Sequence, residues 1–305
     1  MSEPAAIVGA LALLLAGAYF VAVLDHVTFA VLARRRIGNP FLRPLRSAAA
    51  LLVQQQSCTE HPDALNWKLA PALYLGLAAM GIAVVPMAVG ATAVDMGVGI
   101  VVWGSVEALV VIVVFLHGWS ANSALPLIGA YRYVAIALPI MLLSMFVLIA
   151  TAIPAQSLSL PAIVESQRSL WNALRQPLGL PLFLLLGLSL TLRGPFDYAD
   201  SADLSGGTSA EISGAARLVW QSARLAMLVS FAALASTAFL GGYLGPVLPG
   251  PLWLAIKTAV LLVVLVAAGH LFARLPPSRM LTLLWTVLLP LAFIDLLWAG
   301  VAALR

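Results

Sequence analysis

The sequence predicts an all-α, polytopic membrane protein with about eight transmembrane helices and both termini on the outer face. Three observations support this prediction: 62% of the 305 residues are hydrophobic, only 9% are charged, and the mean hydropathy is +1.04. A soluble domain is about half apolar and about a quarter charged. We therefore interpret residues 1–305 as a single transmembrane helical domain.

Eight apolar runs approach the roughly 20 residues that a bilayer-spanning helix requires. The first run lacks the basic n-region of a cleavable signal peptide, so we expect it to be retained as a helix. The fifth run is short, and none of the eight shows the alternation of a β-strand. The predicted spans are residues 5–32, 70–90, 97–116, 134–153, 179–192, 225–245, 252–272 and 281–304.

Lys and Arg residues are concentrated in alternate loops, and this distribution sets the predicted orientation. Cytoplasmic loops are enriched in Lys and Arg, so both termini are predicted to face outward from a bacterial-type inner (plasma) membrane. The same distribution explains the net charge of +4 without a nucleic-acid partner. The residues of the predicted cytoplasmic loops are Arg34, Arg35, Arg36, Arg43, Arg46 and Lys68; Arg132; Arg193, Arg217 and Arg224; and Arg274 and Arg279.

Cys58 is the only cysteine, which excludes an internal disulfide, a cysteine-based zinc site and an iron–sulfur cluster held by this chain alone. The four histidines do not have the spacing of a metal-binding motif. We therefore expect the chain alone to bind no metal or cofactor. Any electron carriers would belong to partner subunits.

The predicted outward loop, residues 154–178, contains Ile163, Leu170, Trp171 and Leu174. These apolar residues are compatible with an amphipathic helix on the membrane surface. A short irregular connector is the alternative.

Acidic residues inside apolar runs are the first candidates for function, because polar groups in hydrocarbon are costly and commonly mark pathways. Glu107 and Asp295 each lie within such a run, and Asp25 lies beside His26 in the first span. A proton path through Asp25, Glu107 and Asp295 is one interpretation. Hydrogen-bonded packing residues, or contacts to a neighbouring subunit, are the alternatives.

The predicted cytoplasmic loop 193–224 is the second candidate, because it collects acids in a chain that has few. Arg193, Asp197, Asp200, Asp203 and Glu211 alternate there with apolar residues. A solvated loop is the simplest interpretation. Its length and its anionic character also suit the docking of a partner or the mouth of a proton path.

Several segments together resemble one family. The loop sequence RGPFDYADSADL, followed by AEISG, is similar to the hallmark cytoplasmic loop of the heel subunit of respiratory complex I and of its relatives in membrane-bound hydrogenases. HGWSANSALPLIGAYR (residues 117–132), IVESQRSLWNALRQPLG and WTVLLPLAFID resemble further segments of that family. The resemblance extends over most of the chain.

The resemblance implies a subunit that joins a membrane arm to peripheral iron–sulfur redox subunits. It implies a share in a quinone cavity at that interface and in a chain of intramembrane acids that couples redox chemistry to proton transfer. Arg193, Asp197, Asp200, Asp203 and Glu211 fall on charged positions of the family motif. The first-loop arginines, Arg34, Arg35, Arg36, Arg43 and Arg46, are then expected to contact partner subunits.

The chain also departs from the family pattern. Leu190 and Arg224 replace two glutamates, Asp25 and His26 replace Glu-Arg, and Gln54 and Gln55 stand where Lys and Glu are usual. Leucine cannot carry a proton and arginine stays charged, so the usual chain of acids is interrupted at two points.

These departures leave alternatives open beside a quinone-reducing complex. Residues 56–67 resemble the hydrogenase branch, which implies a membrane-bound hydrogenase or formate-hydrogenlyase type of complex. A purely structural anchor that no longer conducts protons is a further alternative. A stand-alone transporter would require internal symmetry and broken helices, and the sequence shows neither.

Overall fold

The computed structural model describes residues 3–34 and 38–304, and it is dominated by helices. Arg35 and Arg36, two of the predicted partner contacts, lie outside the described residues. The helices are α1 (Glu3–Leu32), α2 (Leu42–Val53), α3 (Ala64–Ala83), α4 (Gly99–Ser120), α5 (Ala124–Ala152), α6 (Leu160–Ser166), α7 (Asn172–Arg175), α8 (Gly179–Leu190), α9 (Gly214–Phe239), α10 (Gly250–Leu271), α11 (Pro277–Leu283) and α12 (Leu289–Ala303). A π-helical turn, Leu284–Leu288, joins α11 to α12.

The polytopic all-α prediction is confirmed. Within the described ranges, six helical segments are long and apolar enough to cross a membrane: Pro4–Leu32, Gly99–Ser120, Ala124–Ala155, Gly214–Phe239, Gly250–Leu271 and Pro277–Ala303. The predicted fifth span is a shorter apolar helix, α8, with 12 residues. The predicted second span corresponds to α3, a 20-residue helix that is not among the segments long and apolar enough to cross a membrane.

The predicted second span, residues 70–90, is wrong at both ends. Helix α3 begins six residues earlier because the Asp63 side chain accepts hydrogen bonds from the backbone N–H groups of Leu65 and Asn66, which caps the helix. It ends at Ala83, and a short antiparallel hairpin follows, made of β1 (Pro86–Ala88) and β2 (Ala91–Thr92). The apolar run continues into this hairpin, which is why composition alone extends the helix too far.

The predicted loop 193–224 is also shorter than expected, because α9 begins at Gly214. The first turns of α9 carry Arg217, Gln221 and Arg224, and these polar residues conceal the start of the helix. We call residues 193–213 the acidic loop. The end of the bundle that carries it is the loop end, and the opposite end is the far end.

The ends of the helices meet in two groups, as alternating passes through a bilayer require. At the loop end, Asp63 N–H donates to Ser120 O and Tyr198 Oη donates to Leu275 O. At the far end, Ile100 N–H donates to Leu158 O. Helices α3 and α4 therefore run antiparallel to each other, and so do α4 and α5.

Helix α9 lies at the centre of the bundle, and every residue from Ala226 to Phe239 is buried. Small residues on its neighbours allow close packing: a β-carbon on Gly17 would lie 2.7 Å from Val229 Cγ1, and one on Gly187 would lie 2.3 Å from Phe231 Cε1. The core of the protein is therefore built around α9, which also supplies residues to the site described below.

The far-end segment, residues 154–178, is not one continuous amphipathic helix. It contains two short helices, α6 and α7, separated by residues 167–171. The buried Gln167 side chain accounts for the break, because its Oε1 accepts from Asn172 N–H and Gly241 N–H while its Nε2 donates to Thr237 O. Of the four apolar residues in the prediction, Leu170, Trp171 and Leu174 are exposed, whereas Ile163 is fully buried in the bundle.

Candidate functional site

A cavity of about 1000 Å³ lies at the loop end, between α1, α2 and α9. Helix α2 covers it and is held at both ends. Tyr19 Oη donates to Phe41 O at 2.5 Å, and Ser57 N–H donates to Ser213 Oγ at 2.7 Å. The apolar wall is formed by Ala18, Ala22, Pro44, Leu45, Ala48, Leu51, Leu218 and Leu225, and the polar lining includes Tyr19, Asp25, His26, Gln54, Thr191, Arg193, Arg217, Gln221, Ser222 and Arg224.

Asp25 and Arg193 form a two-pronged ion pair at one side of the cavity. Arg193 Nη1 and Nη2 donate to Asp25 Oδ1 and Oδ2, each at 2.7 Å, and His270 Nε2 lies 3.3 Å from Asp25 Oδ1. The pair joins α1 to the acidic loop and to the end of α10. Asp25 is therefore held by a cation and is not an isolated acid.

Asp200 and Arg224 form a second pair, which explains the cation at position 224. Arg224 Nη1 donates to Asp200 Oδ2 at 2.6 Å, while its Nε and Nη2 donate to Thr191 O at 3.2 Å and Leu192 O at 2.6 Å. Those two carbonyls directly follow α8, whose C-terminal end carries partial negative charge. Arg224 therefore caps a helix C-terminus from a neighbouring helix.

Two hydroxyl groups also donate to Asp200, and a phenol donates to the last carbonyl of α8. Thr208 Oγ1 and Ser209 Oγ donate to the two Asp200 oxygens at 2.6 and 2.8 Å, and Tyr74 Oη donates to Leu190 O. The two departures from the family pattern are thus adjacent in space. An arginine at 224 satisfies the end of the helix whose last residue is Leu190.

Two further ion pairs tie the acidic loop to other elements. Arg274, which follows α10, donates from Nε to Asp197 Oδ1 at 2.7 Å, and this hydrogen bond raises the pKa of Arg274. Arg132 on α5 donates to Asp203 Oδ2 at 2.5 Å. The hydrogen bond from Arg132 lowers the pKa of Asp203 to about 2. Glu211 accepts a hydrogen bond from Ser123 Oγ at 3.2 Å.

The backbone of the acidic loop lies directly against α5. A β-carbon on Gly129 would lie 2.4 Å from Ala199 O, and one on Gly207, whose φ is +49°, would lie 1.7 Å from the same oxygen. Only residues without a β-carbon permit this approach. The loop is therefore packed as a part of the bundle, and each of its three aspartates is paired with an arginine.

Glu107 and Asp295 lie apart from the cavity and from each other. Glu107 is fully buried in α4 and accepts from Trp103 Nε1 at 2.5 Å and from Ser144 Oγ at 2.6 Å. Asp295 is buried near the far end, beside Gly179 at the start of α8, and its Oδ2 has no hydrogen-bond partner among the described residues. Within the part of the chain that the structure describes, no hydrogen bond or ion pair joins Asp25, Glu107 and Asp295 to one another.

Three of the first-loop arginines are described, namely Arg34, Arg43 and Arg46. All three are exposed, and in residues 3–34 and 38–304 none has an ion pair within 4.0 Å. They are available for a partner or for lipid headgroups.

Arg217 and Tyr74 are not among the predicted site residues. Arg217 shares a face of α9 with Gln221 and Arg224, at spacings of four and seven residues, and all three line the cavity. That helical spacing is the available signal, and interpreting residues 193–224 as a loop conceals it. Tyr74 has no comparable signal, since an aromatic residue in an apolar run is usual.

Comparison with known proteins gives a consistent result. A family model described as "NADH dehydrogenase" matches residues 5–300. An H-type subunit of NADH-quinone oxidoreductase from Rhodopseudomonas palustris is 33% identical over 270 residues, which cover 87% of this chain and 84% of that protein. The corresponding H-type subunit from Cereibacter sphaeroides is 32% identical, with 87% and 85% covered. That from Bacillus cytotoxicus is 28% identical, with 90% and 89% covered.

Proposed function

Since the chain belongs to the NADH dehydrogenase family, as a divergent relative of the H-type subunit of NADH-quinone oxidoreductase, we propose that it joins the membrane arm of a complex I-like assembly to a peripheral iron–sulfur redox module. The assembly would move protons, or another ion, across a bacterial-type inner membrane. Its other membrane-arm subunits and its iron–sulfur subunits are the expected partners. This chain would supply no catalytic residue of its own.

The observation that carries the proposal is that the same residues line the cavity and hold the acidic loop. Arg193 and Arg224 both line the cavity. Arg193 also fixes the start of the loop to α1, and Arg224 fixes Asp200. A ligand that displaced either guanidinium would move the loop, so occupancy of the cavity and the position of the partner-facing loop are physically linked.

The cavity fits a quinone-type ligand. Ligand sites of about 300–1000 Å³ combine an apolar wall with a few polar groups, and this cavity has that composition. Quinone carbonyl oxygens accept hydrogen bonds, and the side chains of Arg217, Gln54 and Gln221 carry the N–H donors that would hold them. When bound, a quinone would serve as the electron acceptor for the partner subunits.

A cavity-narrowing variant tests this function in the intact assembly. We expect Ala48→Phe to reduce electron transfer to a water-soluble quinone analogue and to spare reduction of ferricyanide, which takes electrons from the peripheral module directly. Ala49→Phe, on an exposed position of the same helix, is the matched control. Unchanged quinone reduction in Ala48→Phe would contradict the proposal, as would purification of this chain alone in an active form.

The three similar proteins carry quinone-oxidoreductase names, which supports the quinone branch over the hydrogenase branch. A co-purifying large subunit with nickel bound by two CxxC pairs would reverse that preference.

A structural anchor without proton conduction is the second candidate, and the Arg224 contacts favour it at the loop end. Two features act against it: Glu107 is buried with no ion pair to any residue that the structure describes, and two donors, Trp103 and Ser144, orient it. Glu107→Gln keeps the shape of the side chain and removes its proton-carrying group. Reduced proton translocation per electron in this variant would support the path, and an unchanged ratio would support the anchor. Ser144→Ala, which removes one donor to Glu107, is the companion variant.

A further inference from the structure

Among residues 3–34 and 38–304, none neutralises the positive charge of Arg217, which lines the cavity. Arg193 is paired with Asp25, and Arg224 with Asp200. Arg217 forms no ion pair within the described ranges, and its buried Nε has no hydrogen-bond partner there. The planar donor fork of arginine matches the oxygens of a carboxylate or a phosphate, so an anion from outside the described residues fits this group.

Helix α2, which covers the cavity, indicates the depth in the membrane at which that anion would lie. Helix α2 has no buried residue. It exposes Leu52 and Val53 on one part of its surface and carries Arg43 and Arg46 on another. A basic amphipathic helix of this kind lies at the boundary between lipid headgroups and acyl chains. Gln54, just after α2, and Arg217, in the first turns of α9, both line the cavity, so we place its polar lining at headgroup level.

The walls of the cavity suit an acyl chain. Ala18 and Ala22 on α1, together with Ala48 and Leu51 on α2, form an apolar surface without polar atoms in their side chains. Gln221, four residues after Arg217 on α9, and Ser222 also line the cavity, and both side chains can donate to an oxyanion. An apolar groove that ends at an unpaired arginine matches an amphiphile with a negative head.

We propose that Arg217 binds the phosphate of an anionic phospholipid, whose acyl chain enters the cavity between α1 and α2. This lipid site is proposed in addition to the quinone-type ligand. The lipid and the quinone would occupy the same cavity and would compete for it. Arginine favours this class because its planar donors match two phosphate oxygens.

Native mass spectrometry of the purified intact assembly tests the proposal. Dimyristoyl phosphatidylglycerol, dimyristoyl phosphatidylcholine and myristate would be titrated separately. We expect the phosphatidylglycerol to bind about tenfold or more tightly than the phosphatidylcholine, which is the scale of one charge-assisted contact. Arg217→Gln should abolish this preference. Arg279→Gln, which removes an exposed charge on α11, should retain it.

Two further variants keep the test decisive if Arg217→Gln does not assemble. Arg217→Lys keeps the charge but loses the planar donor pair, so the preference should shrink. Ala48→Phe should weaken the binding of both phospholipids by blocking the groove.

Equal affinity for the two phospholipids in the unmodified assembly would overturn the proposal. An unchanged preference in Arg217→Gln, an equal Arg217-dependent preference for myristate, or a partner-subunit carboxylate found on Arg217 would also overturn it. Quinone reduction measured on the same samples separates the two ideas. In the unmodified assembly, absence of lipid selectivity with normal quinone reduction would overturn the lipid site and leave the proposed function standing. Selective lipid binding without quinone reduction would overturn the proposed function and leave the lipid site standing.

Discussion

The contacts of Arg224 predict a specific local destabilisation. Arg224→Met removes the guanidinium and keeps an unbranched side chain of similar length. Asp200 then loses its cation, and Thr191 O and Leu192 O lose their donors. The side chains of the pair are only 22% and 11% exposed, so water replaces these contacts poorly.

The expected magnitude follows from that burial. Removing one partner of a fully buried pair costs about 3–5 kcal/mol. The remaining exposure, and the two hydroxyls that still donate to Asp200, reduce this cost to about 2–3 kcal/mol. The acidic loop should then open about 30- to 140-fold more often, since each 1.4 kcal/mol is about tenfold.

Amide hydrogen exchange of residues 198–209, measured by mass spectrometry on the intact assembly, reports this opening. Arg279→Met is the control, because it removes a charge at an exposed position. The combined variant Arg224→Met/Asp200→Asn should recover part of the protection, since it no longer leaves an unpaired carboxylate. Exchange within about threefold of the unmodified protein in Arg224→Met would refute the reasoning, because it would mean a contribution below about 1 kcal/mol.

Three other predictions follow from the same structure. Gly129→Ala should displace the acidic loop from α5 and lower the stability of that region by about 1–3 kcal/mol, as overpacking does. Gly76→Ala is the control, because a β-carbon there meets nothing within 4 Å. Amide hydrogen exchange of residues 198–209 should increase only in Gly129→Ala. Lys257→Met should lower the thermal stability of the assembly and increase exchange of residues 240–244, because Lys257 Nζ donates to Leu240 O, Gly242 O and Leu244 O at 2.7, 3.0 and 2.7 Å; unchanged exchange there would contradict this. Asp203, whose pKa is lowered to about 2, should contribute fully above its unfolded pKa of about 3.9 and lose its contribution as the pH falls towards 2. Infrared carboxyl bands that are absent from Asp203→Asn would show its protonation, and a midpoint near 4 would contradict the prediction.

Composition and apolar run length predict the fold, because a bilayer imposes helices of a known length on any chain that crosses it. They fail where an apolar run changes secondary structure, as in the hairpin after Ala83, or where a helix begins with polar residues, as at Gly214. In the first case the hydropathy stays high although the helix has ended, and in the second it is low although the helix has already begun.

The candidate site is only partly predictable, for a different reason. The concentration of acids identifies the residues of the acidic loop, but not their partners. Asp25 and Arg193 are separated by 168 positions, and no local pattern specifies such a pair. Position 224 illustrates the limit: the sequence shows a lost acid, whereas the structure shows a cation with its own set of acceptors.

The Arg224 contacts also constrain how this chain can evolve. A change of Arg224 to glutamate would place a carboxylate against Asp200 and two carbonyl oxygens, so the residue type that the family resemblance implies here is unfavourable in this chain. Recovery of that acid would require a second change, at Asp200 or at the end of α8, before or together with the first. The arginine at position 224 is thus favoured by its neighbours, and substitutions at positions 190, 200 and 224 are expected to be strongly epistatic.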